Sequence, residues 1–224
     1  MSASVDKREV CERLLDKAER LFAQKGYQGV SVREIAAASR CNPAAVSYYF
    51  QGKKNLYIEV FRQRWITRAK KNIHSMEQEL AKRKDVNFRD FLEVLFGTFL
   101  QGTMSDQERM IHHQLMSREI NQPCEAFELV LEEVIRPIIH KMTSLMDKKY
   151  AQKLDRECLI LNSLCILSLG LYFNFARQIV TCLTDNNYDR DFLVRLQKHL
   201  VDFVLFGLEG DTDSQDRIIK GQGE

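Results

Sequence analysis

Glycine and proline are scarce in this chain. Ten Gly and three Pro in 224 residues give too little turn punctuation for a many-stranded sandwich or barrel, so the chain reads as mostly helix. The six cysteines at 11, 41, 124, 158, 165 and 182 form no CxxC pair, and three lie in strongly apolar stretches. They read as small buried hydrophobes in a reducing setting rather than as a disulfide framework. The opening MSASVDKREV carries no hydrophobic secretory segment, which sets the expectation of a cytoplasmic protein. No GxSxG, HExxH, P-loop or GxGxxG motif appears with suitable flanks. His112 and His113 are consecutive, so on a helix they point about 100° apart and cannot chelate together. The expectation is a protein that is not an enzyme, with no cofactor and no metal site.

No sign of charge dominates either. The net charge is +2, from 33 basic and 31 acidic residues. The total hides a split. Residues 1–90 hold 19 Lys+Arg against 11 Asp+Glu, a balance of +8, and residues 91–224 hold 14 against 20, a balance of −6. Only the front is suited to meet a polyanion. One long uncharged run exists, CLILNSLCILSLGLYFNFA at 158–176. Its length is borderline for a bilayer, it carries Asn162, Ser163, Ser168 and Asn174, and the chain has no second such run. It reads as a buried core or interface helix, with no membrane partner expected.

What is present is helical periodicity. Val10, Leu14, Ala18 and Leu21, flanked by Cys11, Leu15 and Phe22, give the stripe of an amphipathic helix over 7–25, ended by Gly26. Ser31-Val32-Arg33-Glu34 is a capping box that starts a helix over 32–39, with Val32, Ile35 and Ala36 inward. Asn42 and Pro43 suit the cap and first position of a short helix to Phe50, with Val46 and Phe50 inward. Gln51-Gly52 breaks it. Leu56, Tyr57, Val60, Phe61 and Trp65 give the stripe of a helix from Lys53 or Lys54 toward Lys82. Further helices are expected at 88–102, 106–121, 124–147, 154–182 and 189–207, with a kink or split at Pro137. Residues 209–224 read as a loose polar tail. Two short helices joined by a tight turn, after a longer helix, make a helix-turn-helix unit.

The stretch SVREIAAASRCNPAAVSYYFQGKKNLY, with AERLFAQKGYQGVSV before it, resembles the DNA-binding signature of TetR-family transcriptional regulators over residues 8–60. The resemblance implies an all-α fold: a three-helix DNA-binding head over 1–56, then a larger helical domain over 57–208 for dimerisation and ligand binding. It implies that Ser31 and Arg33 hold phosphates, that Asn42, Ala44, Ala45 and Ser47 face the groove, that Tyr48 meets a phosphate or base edge, and that Lys53 meets the backbone. Each has a plainer role open to it: Ser31 as a cap, Tyr48 as packing, Lys53 as a solvated charge. Two positions depart from the family pattern. Arg40 stands where Gly is usual, either disturbing the turn or adding a DNA contact. Ser47 stands where Tyr is frequent. A recognition helix this short of long side chains leaves methyl contacts and DNA shape to carry specificity.

The later stretch HHQLMSREINQPCEAFELVLEEVIRPIIHKM resembles the CecR-type C-terminal domain of a TetR subgroup, and SLGLYFNFARQIV fits it more loosely. The resemblance implies a dimerising bundle around a ligand pocket. Phe96, Phe99, Met110, His113, Phe173 and Arg177 are its candidate lining, though such residues are more often core. Arg118-Glu119 reads as a functional pair or as an ion pair at a helix end. The 158–176 helix and the Phe192, Leu196, Leu200, Val204 stripe are adjacent antiparallel candidates for a four-helix interface between two copies. The partners expected are a near-palindromic double-stranded operator, a second copy of the chain and a small-molecule effector, for a ligand-responsive repressor. The alternative is a helical ligand- or protein-binding dimer that has lost DNA binding.

Overall fold

The computed structural model describes the backbone of residues 2–102, 104–150 and 154–221, and the side chains of 7–102, 104–150 and 154–209. Among these residues the chain is all-α, with no strand. Helix α1 (Ser2–Lys25) buries Leu14, Leu15, Ala18 and Phe22. Gly26 follows in the left-handed region at φ 74°, donating its N–H to the Phe22 carbonyl at 2.8 Å. Three short helices come next, α2 (Val32–Ala38), α3 (Ala44–Phe50) and α4 (Lys53–Val60). A widened π-type turn, Phe61–Ile66, leads into α5 (Thr67–Ala81). Leu56, Tyr57, Val60, Phe61 and Trp65 are all buried, as their spacing predicts.

Helices α6 (Phe88–Gln101) and α7 (Asp106–Asn121) open on capping boxes, Asn87 with Asp90 and Ser105 with Glu108. Then come α8 (Glu125–Val130), a second π-type turn at Leu131–Ile135, and α9 (Arg136–Lys149). The irregularity expected at Pro137 therefore falls just before it. Proline has no N–H to give the carbonyl of residue 133, and the turn ahead of it widens. The helix expected over 154–182 is two, α10 (Arg156–Phe175) and α11 (Arg177–Thr184), divided at Ala176. Arg177 supports the break, its Nε donating to the Asn174 carbonyl at 3.2 Å and its Nη2 to that of Leu100 at 2.7 Å. Helix α12 (Arg190–Gly221) runs past the expected end near 207. Its backbone is helical through most of the segment read as a loose tail, where no proline removes a helical hydrogen bond. The last three residues of that segment lie outside the described residues.

The chain divides into two compact units that do not follow the boundaries at 56 and 208. One joins Met1–Lys71 to Met104–Ile135, and the other joins Asn72–Thr103 to Arg136–Glu224. In the first, α1 packs on α2, α4 and α7, α3 packs on α2 and α4, and α8 packs on α4, α7 and the first π-type turn. Phe22 and Tyr57 meet edge-on, ring centroids 4.9 Å apart, at its centre. In the second, α6 packs on α12, α10 and α9, burying Phe88, Phe91, Phe96 and Leu100. Gly170 lets α10 approach α6 closely, since a Cβ there would sit 2.9 Å from the Phe99 ring.

Helix α12 lies chiefly on α6, and α10 on α9 and α6, and α10 and α12 also touch. Two expectations about packing are corrected. The cysteines are not buried: Cys124, Cys165 and Cys182 are exposed and the other three half-buried, all as free thiols. Val32, expected inward, is half-buried.

Candidate nucleic-acid interface

The helix-turn-helix rests on three local devices. At the start of α2 the Ser31 Oγ accepts the Glu34 N–H at 3.1 Å, and Glu34 accepts the Ser31 N–H at 2.8 Å. Lys25 Nζ also donates to Glu34 at 2.9 Å. That bond, then the Ser31 bonds, hold the Glu34 carboxyl down at about 2. At the end of α2 the Cys41 N–H reaches the Ala36 carbonyl at 2.9 Å and the Arg40 N–H reaches that of Ala37 at 3.1 Å. This pair is a Schellman closure, with Arg40 at its left-handed position, φ 54°. The geometry explains why glycine suits this site: an L side chain there costs about 1–2 kcal/mol. It also shows that Arg40 keeps the turn. At the start of α3 the Asn42 Oδ1 accepts the Ala44 N–H at 2.9 Å, and Pro43 already has helical dihedrals (φ −51°, ψ −31°).

On α3, Val46 and Phe50 point inward and are buried. Ala44, Ser47 and Tyr48, at i, i+3 and i+4, share the outer face and are exposed. Tyr48 is 76% exposed and meets the Tyr49 ring edge-on at 4.8 Å, so packing into the core is not its role. Ala45, expected to face the groove with them, is half-buried on the flank of this face. Ser31, Arg33, Arg40 and Asn42 are exposed around it. Lys53 is half-buried, its Nζ 4.3 Å from the Tyr27 ring centroid, and burial lowers its affinity for a proton. Lys7, which no motif singles out, has its Nζ 6.0 Å from the Tyr49 ring, which puts the first turns of α1 beside the recognition helix. Lys54, next to Lys53 in the chain, is paired with Glu125 at 2.6 Å. Nothing in local spacing announces either contact.

The six candidate pocket residues are not brought into one unit. Phe96 is fully buried, and Phe96 and Phe99 both lie against Gly170. Phe173 is half-buried, and Arg177 stacks over Tyr188 with its guanidinium 4.7 Å from the ring centroid. These four belong to the second unit, whereas Met110, 60% exposed, and His113 belong to the first. A cavity of about 430 Å³ in the second unit is lined by Phe88, Arg89, Leu145, Lys149 and Leu205 among others, and contains none of the six. Among the described residues no group of three or more His, Cys, Asp or Glu could hold a metal ion. Arg118 and Glu119 do not pair with each other. Arg118 donates to the Ala23 and Gln24 carbonyls, and Glu119 accepts from Tyr57, Cys124 and Phe127.

An exposed, small-residue recognition helix braced by a capped helix defines a helix-turn-helix protein of all-α build. The comparisons with known proteins then fix the family. Residues 14–60 match the family described as "Bacterial regulatory proteins, tetR family". Residues 88–210, more than half of the chain, match "HTH-type transcriptional dual regulator CecR, C-terminal domain". The chain belongs to the TetR family of transcriptional regulators. Over 45 residues it is 49% identical to the probable HTH-type transcriptional regulator YttP of Bacillus subtilis, covering 20% of this chain and 22% of that one. Over 117 residues it is 26% identical to the HTH-type transcriptional regulator AcrR of Shigella flexneri, covering 52% and 50%. The chain thus spans half or less of the length of these two curated relatives. Among solved structures, the hemolysin II transcriptional regulator HlyIIR superposes with a TM-score of 0.58 at 23% identity, covering 87% of this chain and 98% of that one. The fatty acid degradation regulator FadR of Bacillus halodurans gives 0.55 at 18% identity, covering 87% and 94%. Both likenesses are of fold.

Proposed function

We propose that the protein is a cytoplasmic, ligand-responsive repressor that binds a near-palindromic operator as a dimer. The observation that carries this reading is the intact helix-turn-helix, with Ala44, Ser47 and Tyr48 outward on α3 and the Schellman turn kept despite Arg40. Residues 1–56 are its reading head, 57–208 its dimerisation and sensing region. Ser31, Arg33 and Lys53 hold phosphates and fix register, while Asn42, Ala44, Ala45, Ser47 and Tyr48 meet the groove. Arg40, exposed at the turn, adds a contact to phosphate or base. The reading of a dimer that has lost DNA binding is not favoured, since no element of the head is missing.

The dimer reading is supported by an apolar surface that a lone chain leaves wet. Leu161 and Leu164 on α10, Ile179 and Leu183 on α11, and Phe203 and Phe206 on α12 are all more than two-fifths exposed. A second copy covering them sets two recognition helices on one operator, about one DNA turn or a multiple apart. Helix α10 also has the length and apolar content of a membrane span, with 33% of its most apolar stretch buried. Coverage by a second copy accounts for that surface in a soluble regulator. An effector acts by binding the operator-competent and released states with different affinity.

The test is a gel shift with duplexes selected by the purified protein from a random pool. Salt-sensitive, sequence-preferring binding is expected, and Tyr48→Ala should weaken it roughly 10- to 100-fold with the dimer intact. Binding without sequence preference, or unchanged binding by Tyr48→Ala, contradicts the reading.

A further inference from the structure

We propose that Arg118 and Glu119 are positioning residues for DNA reading, which place the Lys53 ammonium and the recognition helix through α1 and α4. The proposal rests on the DNA-binding reading above and deepens it. The two residues are consecutive on α7, so their side chains leave the helix about 100° apart and reach different elements.

Arg118 holds the end of α1. Its Nε donates to the Ala23 carbonyl at 2.8 Å and its Nη2 to that of Gln24 at 2.5 Å. These are carbonyls of the last helical turn, which lack helical donors and carry the negative end of the helix dipole. The guanidinium also lies over the left-handed Gly26, where a Cβ would sit 3.2 Å from Nη1. Gly26 begins the connection to Ser31, the cap of the bracing helix. Arg118 therefore fixes where that connection starts.

Glu119 holds α4. It is 1% exposed, and its Oε2 accepts the Tyr57 hydroxyl at 2.7 Å. Its Oε1 accepts the backbone N–H groups of Cys124 at 2.6 Å and Phe127 at 3.0 Å, anchoring the start of α8. Three donors meet a buried carboxylate, a satisfied arrangement that specifies one geometry. The Tyr57 ring so oriented meets Tyr27 at 5.1 Å, edge-on, and over the Tyr27 ring sits Lys53 Nζ at 4.3 Å. A continuous path of contacts thus runs from Glu119 through Tyr57 and Tyr27 to a candidate phosphate ligand. The same α4 supports α3.

A purely structural pair would affect stability alone, whereas a positioning pair couples to Lys53. The experiment is a double-mutant cycle on affinity for the selected operator, using Tyr57→Phe, Lys53→Ala and the double variant, with random duplex and thermal unfolding measured alongside. Tyr57→Phe removes only the hydroxyl that Glu119 holds. It should lower operator affinity roughly tenfold and random-duplex affinity by less, since it displaces the base-reading face of α3 as well as the Lys53 phosphate contact, and in its background Lys53→Ala should cost much less than in the wild type. Arg118→Lys, which keeps the charge and loses the fork, should give the same selective loss and stands in if Tyr57→Phe fails to fold. Additive effects with Lys53→Ala, or equal losses on operator and random duplex, overturn the proposal, as does unchanged operator affinity. Failure of the wild-type protein to prefer any duplex is a different result, and refutes the DNA reading itself.

Discussion

The two units of this chain differ in the charge they bury. In the first, two buried carboxylates, Glu119 and Glu19, take part in the links between distant segments: Glu119 to Tyr57 and Arg68 to Glu19, beside the part-buried bonds of Arg118 to the end of α1 and of Trp65 Nε1 to the His112 carbonyl at 2.9 Å. In the second, the buried polar Ser163 turns back on its own helix, bonding the Leu159 carbonyl at 2.8 Å. Asn174 is buried there too, but among the described residues no carboxylate is, and the polar links between its segments, Arg177 to the Leu100 carbonyl and Gln197 to that of Glu93, run from part-buried side chains to backbone; several large apolar side chains stay exposed. Apolar packing tolerates shifts of register, whereas a buried carboxylate with three donors does not. A reading head must present its face to base edges with small error. An apolar bundle needs only to associate and adapt. The polar links stand where geometry matters most.

The largest expected effect breaks the exposed apolar surface. Phe206→Glu together with Phe203→Glu puts charges where a second copy would bury them, and should lower the association constant by a factor of roughly a hundred or more. Sedimentation should then find monomer with helix content retained. A dimer of unchanged strength places the interface elsewhere.

The second effect sharpens the polar side. Burial, then the Arg68 charge and His113, hold the His112 imidazole neutral down to about 3, against 6.5 when free. Its ring stacks on Trp65, centroids 4.2 Å apart and 7° from parallel. Between these values the unfolded chain binds a proton that the folded chain refuses. His112 therefore gives stability that is complete above pH 6.5 and falls as the pH drops toward 3. Trp65 is the sole tryptophan, so its emission reports this unit. Emission should change at lower denaturant as the pH falls from 6.5 to 4, and His112→Gln should flatten that trend. A pH-independent midpoint in the wild type removes His112 from the account.

The smallest effect concerns the turn. Arg40→Gly relieves the left-handed strain and should stabilise the head by about 1 kcal/mol or less, after the entropy cost of glycine. If Arg40 meets DNA, the same variant loses operator affinity as it gains stability. Denaturation and gel shift on one variant separate the two roles.

Much of the head was legible because its determinants are local. Ser31 with Glu34, Gly26, Asn42 with Pro43, and the Val46–Phe50 spacing each act within four residues, and each formed as read. Ala45 escaped because a helical wheel does not say how far a neighbouring helix reaches around α3. The break at Ala176 escaped because no Gly or Pro marks it, and the bonds that support it come from Arg177 to carbonyls near and far. Arg118 and Glu119 stood out as a pair, yet Arg118's partners lie 95 and 94 residues away and Glu119's Tyr57 lies 62 away. No periodicity encodes such contacts.

The sequence by itself determined the helices, their caps and the outward face of the recognition helix, because backbone hydrogen bonds and short-range side-chain contacts decide these. Only the tertiary structure decided that 104–135 folds with the front of the chain, that Glu119 accepts the Tyr57 hydroxyl, and that Lys53 lies over Tyr27. Such contacts close loops of many residues, and their partners are selected by packing rather than by spacing along the chain.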